Sequence, residues 1–151
     1  MVLTAKDYAL TLIFLIADQV TKYAAVVIKP NNILFQYTQN TGAAWGMLQG
    51  KNTWLLLLGI IVLILLWKPL KESKGHEHLA YLALYAGIIG NSVDRLVRGA
   101  VVDFISIGNF PIFNVADSLI TVSILYLVAT GLSESFTSWN FKRKTKKNKN
   151  F

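Results

Sequence analysis

The sequence contains no cysteine. Disulfides, thiolate nucleophiles and cysteine-based zinc sites are thereby excluded together. Charge is scarce: 15% of the 151 residues are Asp, Glu, Lys or Arg, whereas a soluble domain carries about a quarter. There are two histidines, His76 and His78, and three prolines. In their place stand apolar residues, 54% of the chain, with a mean hydropathy of +0.46. That apolar fraction excludes a disordered chain. The length leaves no room for two sizeable soluble domains. The apolar residues run in long blocks, the pattern of a membrane protein.

Four blocks emerge, at about 8–28, 53–67, 78–97 and 112–132. They predict an all-α membrane protein, a single domain of four transmembrane helices. A bilayer needs about 20 helical residues. The second block is short, and Trp54 and Trp67 at its edges read as interfacial aromatics. Helix added at its start, from Gly50 or Lys51, would complete it. The net charge is +7. Ten of the 15 basic residues fall on one side: Lys6, three between spans two and three, and six in the tail 140–151. The positive-inside rule then makes both termini cytoplasmic and turns segments 29–51 and 98–111 outward. The lysine-rich tail reads as an anchor on anionic lipid. It has no aromatic or glycine motif beside it, so no nucleic-acid partner is expected. A cleavable signal peptide fits the first block poorly, because its apolar core continues past Asp18-Gln19 with no clear small-residue cleavage site. In the first outer segment, Ile33–Thr38 reads as a short strand and Asn40-Thr41-Gly42 as a turn, a small β-like element on the membrane surface.

Eight residues are acidic. Asp7, Glu72, Glu77 and Glu134 lie near the cytoplasmic ends, whereas Asp18, Asp94, Asp103 and Asp117 lie in or beside the outer halves of the spans. A carboxylate in a span is costly and marks function by default. Asn91-x-x-Asp94 and Asn114-x-x-Asp117 share a spacing that puts each pair on one helix face, and Thr21 and Lys22 follow Asp18 by three and four. The connector 105–111 is short enough to fold back so that Asp103 faces Asp117. Two close carboxylates do not both ionise comfortably; one keeps a proton, and the pair titrates as a unit. One then draws a proton from water while the other polarises a carbonyl, as in aspartic proteases, with no metal or cofactor.

Competing schemes fail on inventory. A Ser-His-Asp triad needs a histidine beside a serine, and both histidines read as solvated cytoplasmic loop residues. A Ser-Lys pair among Ser92, Ser106 or Ser118 has only Lys22 as a weak partner. His76-Glu77-His78 lacks the spacing of a zinc helix. The plainer readings stay open. Asp103 can cap a turn and Asp117 a first helical turn. Asp94 beside Arg95 reads as an ionic brace, yet it is also the alternative dyad member. Asn91 and Asn114 can glue helices or donate to substrate. Asp18 reads as a support that anchors the Asn40–Gly46 segment or caps a helix. Trp45 is an interfacial anchor or part of a lid. Two other function classes stay in view: a small proton-coupled transporter, disfavoured because the acids cluster on one side, and a non-catalytic lipid-binding protein, which leaves the acids without a task.

Five stretches occur in one order: Asp18-Gln19-Val20-Thr21-Lys22, Asn40-Thr41-Gly42-Ala43-Ala44-Trp45-Gly46, Gly90-Asn91-Ser92-Val93-Asp94-Arg95, Val101-Val102-Asp103-Phe104 and Phe113-Asn114-Val115-Ala116-Asp117-Ser118. Together they resemble the lipoprotein signal peptidase (signal peptidase II) family. The resemblance implies a monomeric four-helix peptidase of the bacterial inner membrane with its site near the extracytoplasmic surface. It would cut prolipoproteins before a diacylglyceryl-modified cysteine, among membrane lipids, and would be inhibited by globomycin. It implies Asp103 and Asp117 as the catalytic dyad. Asp18, Asn40, Gly42, Asn91, Asp94, Arg95, Asn114 and Ala116 fall among the family's other important positions. The stretches Lys29–Asn40 and Asp103–Asp117 look shorter than the family's, which bears on the outer surface more than on the chemistry.

Overall fold

A computed structural model describes residues 2–43 and 47–148, with 134–148 described by backbone alone. Four helices and two strands follow in the order α1 (Ala5–Ile28), β1 (Phe35–Asn40), α2 (Asn52–Glu72), α3 (Gly75–Val97), β2 (Val101–Ile105) and α4 (Val115–Asn148). Three helices are long and apolar enough to cross a membrane: α1, α2 and residues 115–133 of α4. Their apolar side chains are largely exposed, Leu12, Ile16, Leu58, Ile64, Leu125 and Val128 among them, as lipid-facing surface must be. The chain is thus a helical membrane protein with a small antiparallel sheet.

Helix α3 is built differently. Ten of its residues are buried, against one in α2, and it packs against α1, α2 and α4. Its neighbours surround it, so its polar residues are buried against protein. Two glycines allow the approach. A Cβ on Gly87 would stand 2.6 Å from the Ala116 carbonyl oxygen, and one on Gly90 would stand 2.5 Å from Asp18 Oδ2. Gly87 therefore seats α4, and Gly90 seats the Asp18 carboxylate of α1.

Helix α1 starts with a reciprocal cap. Thr4 Oγ1 accepts from Asp7 N, and Thr4 N donates to Asp7 Oδ2. It ends where Lys29 turns left-handed (φ 47°) before Pro30. Helix α2 does not gain residues before Asn52. It runs on at its other end through Pro69 to Glu72, leaving a two-residue corner, Ser73-Lys74, before α3. His78 is accordingly not a solvated loop residue. It is buried on α3, with Nε2 3.1 Å from Asp7 Oδ1 and Nδ1 3.0 Å from Ser73 Oγ, while His76 is exposed. The backbone of α4 stays helical through most of the basic tail, to Asn148.

The strands pair with Thr38 opposite Asp103, Gln39 opposite Val102 and Asn40 opposite Val101. The first strand lies two residues beyond the expected Ile33–Thr38, because Asn32 Oδ1 accepts from the N–H groups of Leu34 and Phe35 and holds that stretch in a turn. Val102 and Phe104 pack on Ala25, fixing the sheet across the end of α1. The connector does fold back: Ile105 and Phe113 exchange both backbone hydrogen bonds, at 2.8 and 3.0 Å, which delivers the start of α4 beside β2.

Gly90→Ala drives a methyl into Asp18. Its unfolding midpoint in detergent is expected to fall, by about 1–3 kcal/mol of stability. Gly131→Ala, with nothing within 4 Å of the added carbon, should leave it unchanged or raised. Equal midpoints for the two variants would contradict this packing.

Candidate active site

The site forms where β1, β2, the end of α3 and the start of α4 converge. Asn40 closes an Asx turn, its Oδ1 accepting from Gly42 N at 2.9 Å, and its Nδ2 donates to Asp103 Oδ2 at 3.1 Å. From the other side Asn114 Nδ2 donates to Asp103 Oδ1 at 2.6 Å. Asn114 also caps α4: its Oδ1 accepts from Asp117 N at 2.9 Å, and its N–H donates to Asp117 Oδ2 at 3.2 Å. The second oxygen of Asp117 accepts from Asn91 Nδ2 at 2.8 Å. Asp117 thus has a capping role, yet it also lines the same cavity as Asp103. Asn114 Nδ2 also donates to Asn91 Oδ1 at 3.3 Å, so a chain of amides joins the two carboxylates.

The other two acids have a cation. Lys22 is fully buried. Its ammonium lies 2.9 Å from Asp18 Oδ2, 3.2 Å from Asp94 Oδ2 and 2.9 Å from Asn91 Oδ1. Three acceptors occupy its three N–H donors, and none is a serine, which removes the Ser-Lys scheme. Asp18 Oδ1 accepts from Ala116 N at 2.8 Å, so Asp18 supports the start of α4 rather than the Asn40–Gly46 segment. Asp94 is a brace, but not with Arg95. Its partners are Lys22, Arg98, Gln19 Nε2 and the Val102 N–H. Arg95 instead donates Nη2 to the Gly42 carbonyl at 3.1 Å, and its Nε has no partner among the described residues. Gln19 and Arg98 are members that sequence reasoning passed over. Arg98 follows Asp94 by four, an ion-pair spacing visible in the sequence. Trp45 lies outside the described residues.

These two environments differ electrostatically. Among the described residues no salt bridge reaches Asp103 or Asp117; their direct partners are neutral amides. Burial pushes the Asp103 carboxyl up to about 6, and the charge of Asp117 adds to the rise, against the hydrogen bonds from Asn40 and Asn114 and the charge of Lys22. The cavity beside them has a volume of about 410 Å³, and Arg95, Phe110 and Val122 are among its lining residues. A second cavity, of about 370 Å³, shares Arg95 and Ile120 with it and runs along Leu55, Leu58 and Ile88. No cluster among the described residues is arranged to hold a metal ion.

The sequence model described as Signal peptidase (SPase) II matches residues 10–133. The chain belongs to the signal peptidase II family. The lipoprotein signal peptidase of Staphylococcus haemolyticus (strain JCSC1435) is 38% identical over 137 residues, 80% of this chain and 87% of that protein. That of Staphylococcus carnosus (strain TM300) is 38% identical over 144 residues, 83% and 89% of the two chains. A solved bacterial membrane enzyme, determined in meso at 2.3 Å, superposes with a TM-score of 0.78 at 32% identity, covering 86% of this chain and 89% of its own. Membership of the signal peptidase II family makes this chain a membrane hydrolase of the aspartic peptidase class.

Lys22→Met leaves two buried carboxylates without their cation. Removing one partner from a buried ion pair costs about 3–5 kcal/mol, so unfolding in detergent should shift by that order. An unchanged unfolding midpoint would show that the cage is not needed.

Proposed function

We propose that the protein removes signal peptides from prolipoproteins by cutting before a diacylglyceryl-modified cysteine, with Asp103 and Asp117 as the catalytic dyad. The observation that carries this reading is the placement of two carboxylates, Asp103 buried and Asp117 half-buried, on one cavity with amides, and no cation, as their direct partners. A pair in that setting holds one proton between its members. The ionised carboxylate takes a proton from a water whose oxygen attacks the scissile carbonyl carbon. The protonated one gives its proton to the carbonyl oxygen. The resulting diol collapses as the C–N bond breaks: the leaving amine takes a proton from one carboxyl, and a diol hydroxyl returns its proton to the other. Asn40, Asn91 and Asn114 hold the carboxylates in position. Asp18 and Asp94 act through Lys22 as supports. Arg95, with its unused Nε, and the Gly42 segment border the cavity and suit the substrate backbone.

The apolar parts of such a substrate need lipid-like surroundings. The trough along Leu55, Leu58 and Ile88 continues from the cavity and supports entry from the bilayer side. The reading includes α3 as a fourth span, its polar residues hidden between its neighbours. The whole is one integral membrane domain with both termini cytoplasmic, the dyad near the extracytoplasmic surface of the bacterial inner membrane, and the protein acting as a monomer. A globomycin-type inhibitor would occupy the same cavity.

The test is cleavage of a diacylglyceryl-modified prolipoprotein peptide by purified protein in detergent. Asp103→Asn and Asp117→Asn should each lower kcat by about 100-fold or more, while both variants keep the wild-type unfolding midpoint within about 1 kcal/mol. Substantial cleavage by either variant would remove that residue from the dyad.

A further inference from the structure

We infer that the sheet end of the bundle carries a lipid-binding tip, formed by Ile33, Leu34, Phe35, Ile107 and Phe110, which seats in the headgroup layer of the membrane. Residues 30–50 contain no charged side chain, and residues 99–114 contain one, the buried Asp103. A water-facing segment of that length carries several, since about a quarter of residues in soluble domains are charged. The tip residues are exposed, Ile33 to 83%. In water such a patch invites aggregation or demands a partner.

Local geometry suits the tip to lipid. Backbone polar groups at membrane depth must be satisfied within the protein. Asn32 Oδ1 accepts from Leu34 N and Phe35 N, Asn32 N donates to the Phe35 carbonyl, and Phe110 N donates to the Ile107 carbonyl. Ser106 N donates to the Leu34 carbonyl at 2.9 Å, which clamps the two loops into one surface. The patch follows closely in sequence on the last turn of α1, which exposes Val27 and Ile28. Exposed Lys29 and Lys51 flank the uncharged stretch, where their long stems let the ammonium groups reach water. Because Asp103 sits on the sheet that carries the tip, seating the tip sets the depth of the carboxylate in the membrane. The inference goes beyond the proposed peptidase activity and rests only on the helices crossing a bilayer.

The chain has no cysteine, so Ile33→Cys and Ile107→Cys each give one labelling site for a polarity-sensitive fluorophore. Lys74→Cys, at the exposed corner between α2 and α3, is the water-facing reference. The full chain is placed in nanodiscs of phosphatidylethanolamine and phosphatidylglycerol. At positions 33 and 107 the expected result is blue-shifted emission, strong quenching by lipids bearing a nitroxide near the headgroup, and at least about fivefold weaker quenching by iodide than at position 74. Iodide quenching equal to that at position 74 would overturn the inference. So would protection from both quenchers, which would mean that a protein partner or a second copy covers the tip. Cleavage activity is not the readout, so failure of the peptidase reading leaves this result interpretable.

Discussion

Charge that leaves water must be neutralised, and that constraint organises this protein. Four carboxylates are brought to one end of an apolar bundle, and the structure treats them as two pairs. Asp18 and Asp94 enclose the Lys22 ammonium and add backbone and side-chain donors. Asp103 and Asp117 receive amides in place of a cation. Amides position a carboxylate without cancelling its charge. The first pair therefore forms an ionic brace, while the second is left without a direct cation.

The brace and the proposed dyad are mechanically one object. Asn91 accepts from Lys22 on one side and donates to Asp117 on the other. Asp18 holds the Ala116 N–H within the same helical turn as Asp117. Asp94 holds the Val102 N–H next to Asp103. Asp103 and Asp117 are thus each fixed through a neighbour attached to the lysine cage. Helix α3 can carry this machinery because three helices surround it, and the small residues Gly87 and Gly90 let α4 and Asp18 come close.

Much of this organisation was readable in the chain. Long apolar runs marked the helices, and the position of the acids relative to those runs marked the site end. What could not be read has specific causes. Span four was expected from Ile112, but the helix starts at Val115. Asn114 therefore lies at a helix cap and not on a helix face, and its spacing to Asp117 is that of a capping box. Arg95, next to Asp94 in sequence, points to a different side of α3, while Arg98 at i+4 reaches it. Charged residues around Pro69 read as a loop, although the helix runs on through Pro69 to Glu72, with Lys71 beside the free carbonyls of its last turn. β2 gave no alternating signal because Val101–Phe104 are all buried. His78 read as solvated because nothing local announces Asp7, which arrives from the far end of the chain.

The central claim is that burial leaves one proton on the Asp103–Asp117 pair and that catalysis uses it. The direct measurement is the pH dependence of kcat/KM for peptide cleavage, which reports the free enzyme. The folded-state pKa of Asp103 is raised, to about 6, so the protonated form is lost as pH rises through that value. The account predicts a descending limb with an apparent pKa near 6 belonging to the pair, falling about tenfold per pH unit above it. A rate that stays flat from about pH 5 to pH 8 would contradict the claim, because a proton that matters would be titrated across that range.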